Sequence, residues 1–210
     1  MNPCVSSEDC VRPKGAPEFF AFSLKKDQSV RFFHRASLWR WARVEFDPFA
    51  VSLKVNEQSL TATSGKVAIS ISYEDNFSDR LIVFEKGLGE ALRVDICRYA
   101  ETTGCAVEFL SNKFLRENEI ASENCLRMLS YIVKRREVLT ERNLDRCLRV
   151  VRDNNKVVQD AVKELAIEFR DNAAALFFEL VRRGTITLAD VQTCKLTGRT
   201  KFSVGEQFCE

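Results

Sequence analysis

Histidine is almost absent from this chain: His34 stands alone among 210 residues, and no Cys-x-x-Cys pair occurs. A structural zinc site needs closely spaced Cys and His ligands, so none is expected. Long apolar runs are missing too. Nothing approaches the ~20 residues of a membrane-spanning helix, which argues against an integral membrane protein. Nor is there an excess of charge of one sign. Thirty-two Lys and Arg against 30 Asp and Glu leave a net charge of +2, so no global field draws the chain to nucleic acid or anionic lipid. Any such binding must come from a local patch. No internal repeat or low-complexity tract is visible.

What is present suits a folded domain. With 45% hydrophobic and 30% charged residues, the chain can bury one substantial core, or a main core and a small satellite. Eight cysteines are scattered along it without a framework spacing, and no secretory-leader pattern precedes them. Reduced thiols in a cytoplasm are therefore expected.

Periodicity divides the chain. Residues 1–18 carry Pro3, Pro13, Gly15 and Pro17 with no apolar period, which predicts a loose tail, with order beginning near Phe19. A helix is expected over about Ser37 to Val44, ended by Asp47-Pro48. Phe49, Val51, Leu53 and Val55 alternate with Ala50, Ser52 and Lys54, the pattern of a half-buried strand. Asn56-Glu57-Gln58 interrupts it before Ser59 to Thr63, and Ser64-Gly65 reads as a turn. The clearest hairpin follows, with arms Val67 to Tyr73 and Arg80 to Phe84. Its second arm is apolar on both faces, the mark of a central strand. Gly87 and Gly89 end it. Glu90 to Thr102 then reads as a helix bearing Leu92, Ile96, Tyr99 and Ala100 on one side, capped by Gly104, and Ala106 to Leu110 as a strand. Strand, helix, strand implies a parallel crossover beside the hairpin. After that the pattern is helical: Ser122 to Val133, Thr140 to Val151 behind a Thr140 cap, about Lys156 to Phe169, and Asn172 to Arg183 stopped by Gly184. Thr185 to Val191 and Arg199 to Val204 look like short strands.

Candidate functional residues are few. Glu85 and Lys86 end the second hairpin arm and are either a remnant active site or a solvated strand end. Gly87-Leu88-Gly89 lacks the third glycine and the Gly-Lys-Thr of a phosphate loop. His34 is expected to be structural, since no Ser or Cys motif near it supports nucleophilic chemistry. Trp39 and Trp41, beside Arg40 and Arg43, are read first as core and second as a stacking platform for nucleic acid. Arg135, Arg142, Arg146 and Arg149 fall at spacings of seven, four and three, one helical stripe able to track a phosphate backbone in DNA binding. Glu137, Glu141 and Asp145 interleave with them, which favours a salt-bridged solvated face. On the last helix, Phe178 falls off the stripe of Ala173, Leu176, Phe177, Leu180 and Val181. It either packs against the preceding helix or anchors a partner.

Taken in order from Ser37 to Val204, the chain resembles the TnsA-like endonuclease subunits of heteromeric transposases. The resemblance lies in Val44 to Val51 leading to Glu57-Gln58, in Phe109 to Arg116 followed by Asn124 to Tyr131, and in Leu180 to Gly184 through Thr197 to Thr200. It implies an α/β fold: a mixed-sheet, restriction-endonuclease-like domain over about 19–133, then a helical partner-binding region over 134–204, and a tail from 205. It also implies partners: DNA, a transposase subunit and an AAA+ regulator, with no membrane. Phosphodiester hydrolysis on such a fold needs carboxylates to hold Mg²⁺ and a lysine beside them. The family's Ser-x-Leu-Glu pattern aligns with Ser37-Leu38-Trp39-Arg40, which puts Arg40 where a glutamate belongs. With the hairpin centred near Phe77, Glu85 falls opposite about Ile69, and the arm from Val67 to Ser72 has no acid. Glu85 and Lys86, being adjacent, cannot face one site together. The resemblance therefore implies a catalytically inactive component of a DNA transposition system, without metal or other cofactor. The alternative is an active endonuclease using Mg²⁺ on relocated acids, among Glu45, Asp47 and Glu57 with Glu85.

Overall fold

In the computed structural model, which describes residues 3–8, 10–152 and 157–205, the alternating run expected from Phe49 becomes a strand only from Val51, and Phe49 and Val51 are exposed while Leu53 and Val55 are buried. The strands are β1 (Cys4–Ser7), β2 (Phe19–Ser23), β3 (Gln28–Phe32), β4 (Val51–Ala62), β5 (Gly65–Glu74), β6 (Asp79–Phe84) and β7 (Ala106–Leu110). Helix α1 spans Arg35–Glu45, α2 Glu90–Thr103 and α3 Asn112–Glu117. Five strands form one sheet in the order β1-β4-β5-β6-β7. Only β6 and β7 run parallel, joined through α2. The fold is thus α/β with a mixed sheet, followed by helices. Strand β6 lies between two neighbours and buries Leu81, Ile82 and Val83, as its doubly apolar sequence predicts. Strands β2 and β3 pair with each other.

Two compact units divide the chain. The first holds the described residues up to Trp41 together with Phe49–Glu117, and the second holds Ala42–Pro48 with the described residues from Asn118 onward. In the first, Leu60, Ala62, Ile69 and Leu81 pack around Ile96 of α2. Each of the Leu and Ile side chains contributes about 1.5–3 kcal/mol when fully buried. Gly104 ends α2 in the left-handed region at φ 73° and donates its N–H to the Ala100 carbonyl, a conformation that costs glycine little. Ile71 pairs with Ile82, which pairs with Glu108. Cross-strand partners share a face, so Ile71, Ile82 and Glu108, with Tyr73, form the face opposite α2.

Three expectations are corrected here. The segment 1–18, expected to be loose, supplies β1, which pairs with β4 from Cys4↔Thr61 to Ser7↔Gln58. Four residues are too few to show a period, but β4 is long enough to offer them an edge, and Val5 packs onto the Leu60 cluster. The interruption at Asn56–Gln58 is a bulge inside one continuous strand, with Asn56 at φ 55°. A second bulge between Ile69 and Ile71 puts Ile69 opposite Val83. Glu85 therefore does not lie opposite Ile69, and it falls beyond the end of β6.

The second unit contains α4 (Glu119–Lys134), α5 (Glu141–Arg152), α6 (Val158–Phe169), α7 (Ala173–Arg182), β8 (Ile186–Leu188) and β9 (Phe202–Val204). The expected helix start at Lys156, Cys209 and most of the tail from 205 lie outside the described residues. Helix α7 packs against α4, α5 and α6 and buries all of Ala175 to Leu180, which makes it the centre of the unit. Because α4 packs on α7, the boundary falls before Asn118 rather than after Val133. Strands β8 and β9 pair with each other, apart from the main sheet. Between them, Asn124 of α4 donates to the carbonyls of Val191 and Cys194 and accepts from Leu196 N–H, each at 2.8 Å. Gly184 follows α7 at φ 76°, where a Cβ would stand 3.1 Å from Pro48 Cγ. Among the described residues, no helix is long and apolar enough to cross a membrane.

Candidate functional site

Helix α1 carries Arg40 to the sheet face opposite α2. Its Nε–H donates to Glu108 Oε2 at 2.9 Å, and Nη2 donates to the Tyr73 hydroxyl at 3.1 Å. Burial opposes the charge on Arg40, but Glu108 and Tyr73 together outweigh it and hold the guanidinium above its ordinary pKa. The position where the family resemblance calls for a metal-binding glutamate thus carries a fixed cation, and the nearest carboxylate is engaged by it. A divalent metal at this place would meet positive charge rather than a ligand.

Glu85 and Lys86 lie where the strand has ended. The Glu85 N–H donates to the Leu110 carbonyl at 2.9 Å, and its carboxylate pairs with Arg93 of α2 at 2.5 Å. Arg93 in turn lies over the Phe109 ring at 4.7 Å. Glu85 therefore belongs to the α2 face, the opposite face from Arg40. Lys86 is exposed and enters a turn in which Leu88 N–H donates to the Glu85 carbonyl and Gly87 has φ 86°. The Glu85 carboxylate is held by Arg93, whereas Lys86 forms no ion pair among the described residues; both line a small cavity with Phe84 and Asn112. Glu57 pairs with Lys26 at 2.5 Å, while Glu45 is buried in the second unit. Among the described residues, no group of three His, Cys, Asp or Glu side chains is placed to hold a metal ion.

His34 stacks on Phe84 with ring centroids 3.8 Å apart and planes 12° from parallel. Burial, and then the charge of Lys86, hold its pKa below the ordinary histidine value. Trp39 and Trp41 are buried, so neither presents a free face for stacking on nucleic acid.

The expected arginine stripe is not one stripe. Arg135 caps the C-terminus of α4, and a 3-10 turn at Arg136–Val138 separates it from α5. Thr140, whose hydroxyl accepts from Asn143 N–H at 3.3 Å, starts the new helix. Arg142, Arg146 and Arg149 do share a face of α5 by their spacing. Arg146 is tied to Glu168 and lies over the Phe169 ring, whereas Arg142 and Arg149 are exposed. Phe178, considered as an exposed partner anchor, is 5% exposed. Its ring packs against Tyr131 and Phe177 at centroid distances of 5.5 and 5.6 Å. It lies off the apolar stripe because α7 has no solvent side there.

No family model and no curated protein matches this chain. The fold and the site define its class on their own: a mixed-sheet α/β unit whose helix presents an arginine to the sheet, joined to a helical unit centred on α7.

Proposed function

We propose that this protein is a catalytically inactive, TnsA-like component of a DNA transposition system, acting in DNA binding or in assembly with a transposase subunit and an AAA+ regulator. The observation that carries this reading is the Arg40–Glu108 pair. It sits where the resemblance calls for a metal carboxylate, and it engages the carboxylate of Glu108. With an arginine in that place and no group of three His, Cys, Asp or Glu side chains able to hold a metal among the described residues, metal polarisation of a phosphate and activation of water lack their usual ligands. What remains is a nuclease-like scaffold with cationic surfaces, of which the exposed Arg142 and Arg149 are one. Such a scaffold contributes position and affinity rather than bond cleavage.

The test is a nicking assay on supercoiled plasmid with Mg²⁺ or Mn²⁺, run beside a calorimetric Mn²⁺ titration and an anisotropy titration of labelled duplex DNA. Duplex binding without nicking or Mn²⁺ uptake is expected. Metal-dependent nicking that Glu85→Ala abolishes would establish the endonuclease alternative, and failure to bind duplex even at low salt would remove DNA as a partner.

A further inference from the structure

The first unit holds an open cavity of about 550 Å³ lined by Phe84 and Lys86 from the end of β6, Asn112 at the start of α3, and His34 and Arg35 at the start of α1. Lys14 comes to it from the segment that precedes β2. The cavity is lined by four basic side chains and by no Asp or Glu. In a chain whose 32 Lys and Arg are nearly matched by 30 Asp and Glu, a wall of one sign is a local departure. Several other basic side chains of this unit are answered by carboxylates, as Arg40 is by Glu108, Arg80 by Asp75 and Arg93 by Glu85. Lys14, Arg35 and Lys86 form no ion pair among the described residues.

The backbone explains how the charges come together. Phe84 and Lys86 line the cavity and Glu85 does not, although Glu85 joins them around a smaller cavity next to it. The pairing of Glu85 with Arg93 takes its negative charge away to the α2 face, and the turn at Gly87 leaves Lys86 on the cavity side. The stack of His34 on Phe84 makes a flat, half-apolar wall between the charges. Lys86 depresses the His34 pKa, so the two basic groups feel each other with no anion between them.

We propose that this cavity is a phosphate-binding site in which Lys14, Arg35 and Lys86 supply the charge and the His34–Phe84 stack supplies the wall. The source of the phosphate rests on the DNA-associated reading above: it is a backbone phosphate of a DNA strand. Arginine grips phosphate through paired N–H donors and lysine as a point charge, and a neutral His34 adds a ring N–H donor. An anion seated here offsets Lys86, so binding and protonation of His34 favour each other.

The single histidine of the chain makes the test direct, because its ring resonances have no competitor in untagged protein. His34 is titrated by NMR alone, with tripolyphosphate, and with a short duplex. Both ligands are expected to raise the apparent pKa of His34 by about half a unit or more. The shift is expected to vanish in the Lys14→Ala/Arg35→Ala/Lys86→Ala variant, whose three sites are exposed and whose fold is checked by circular dichroism. The salt slope of duplex binding is expected to shrink by about 0.9 for each DNA phosphate that the variant no longer grips. Lys86→Glu alone serves if the triple variant does not fold. A His34 pKa unmoved by either ligand, or moved equally in the variants, overturns the site even if duplex binds elsewhere, for instance at Arg142 and Arg149. A shift with tripolyphosphate, absent from the variants, in a protein that binds no duplex keeps the phosphate site and sinks the DNA reading.

Discussion

Arg40 and Glu108 are joined by a 2.9 Å charge-assisted hydrogen bond between α1 and β7. Their side chains are 19% and 40% exposed, so the pair is neither fully desolvated nor free in water. Removing one partner of a fully buried pair costs about 3–5 kcal/mol, and the partial exposure of Glu108 reduces this to roughly 1–3 kcal/mol. Arg40→Met and Glu108→Gln are each expected to lose stability in that range in urea denaturation. The double variant is expected to lose less than the sum, with a coupling energy of about 0.5–3 kcal/mol. Additive losses would mean that the hydrogen bond does not couple helix to strand. The same measurement on Glu85→Ala is expected to show under about 1 kcal/mol, since its partner Arg93 is 41% exposed.

His34 gives the protein a pH dependence of predictable sign. Its folded pKa lies below the ordinary value of about 6.5 because it is half-buried and faces Lys86. Lys14 and Arg35, which line the same cavity, carry like charge. The unfolded chain therefore takes up the proton first. Stability is complete above about pH 6.5 and falls as pH drops from there through the folded pKa. Between pH 7.5 and 5.5, wild type is expected to lose stability that His34→Gln retains. Parallel pH profiles for the two would contradict the placement of His34.

Features set by local chemistry were legible in the sequence. The doubly apolar β6, the left-handed Gly104 and the Thr140 cap each follow from a few adjacent residues. The β5 bulge was not legible, because Ile69 and Ile71 alternate identically with or without an unpaired Ser70. Nor was β1, since its four residues become a strand only through the edge that β4 offers. The arginine series looked continuous only when read by spacing, since the helices expected over Ser122 to Val133 and Thr140 to Val151 already leave Arg135 in the break between them, where it caps α4. Phe178 misled for a related reason: a helix covered on all sides has no stripe to fall off. The basic cavity draws on residues 14, 34, 35 and 86, and only the fold brings that separation together.

Phe178 should behave as a core residue. Its ring is enclosed by Tyr131 and Phe177 at the centre of the helical unit, and truncating such a side chain costs about 3–5 kcal/mol. Phe178→Ala is expected to lower stability in that range, whereas a surface change such as Ile167→Ala, at a side chain 84% exposed, is expected to stay within about 0.5 kcal/mol. An unchanged melting temperature for Phe178→Ala would return the residue to the role of a partner anchor.

Thiol chemistry supplies an independent check on the helical unit. Cys125 on α4 and Cys147 on α5 are buried. Burial pushes both thiols up to about 12; nearby Arg43 partly offsets it for Cys125, and Glu168 adds to it for Cys147. Only the thiolate alkylates. At pH 8 a thiol with a pKa near 12 offers roughly three orders of magnitude less thiolate than an unperturbed one, and access is blocked besides. Cys4, Cys97 and Cys194 are exposed free thiols. Brief iodoacetamide treatment of the folded protein, read by peptide mass spectrometry, is therefore expected to modify Cys4, Cys97 and Cys194 and to spare Cys125 and Cys147 until urea unfolds the chain. Because Cys147 lies one residue after the Glu168-paired Arg146, loosening of α5 from α6 would show there first. Alkylation of Cys147 in native buffer as fast as that of Cys97 would mean that α5 is not held as described, and that Arg142, Arg146 and Arg149 do not form a fixed face.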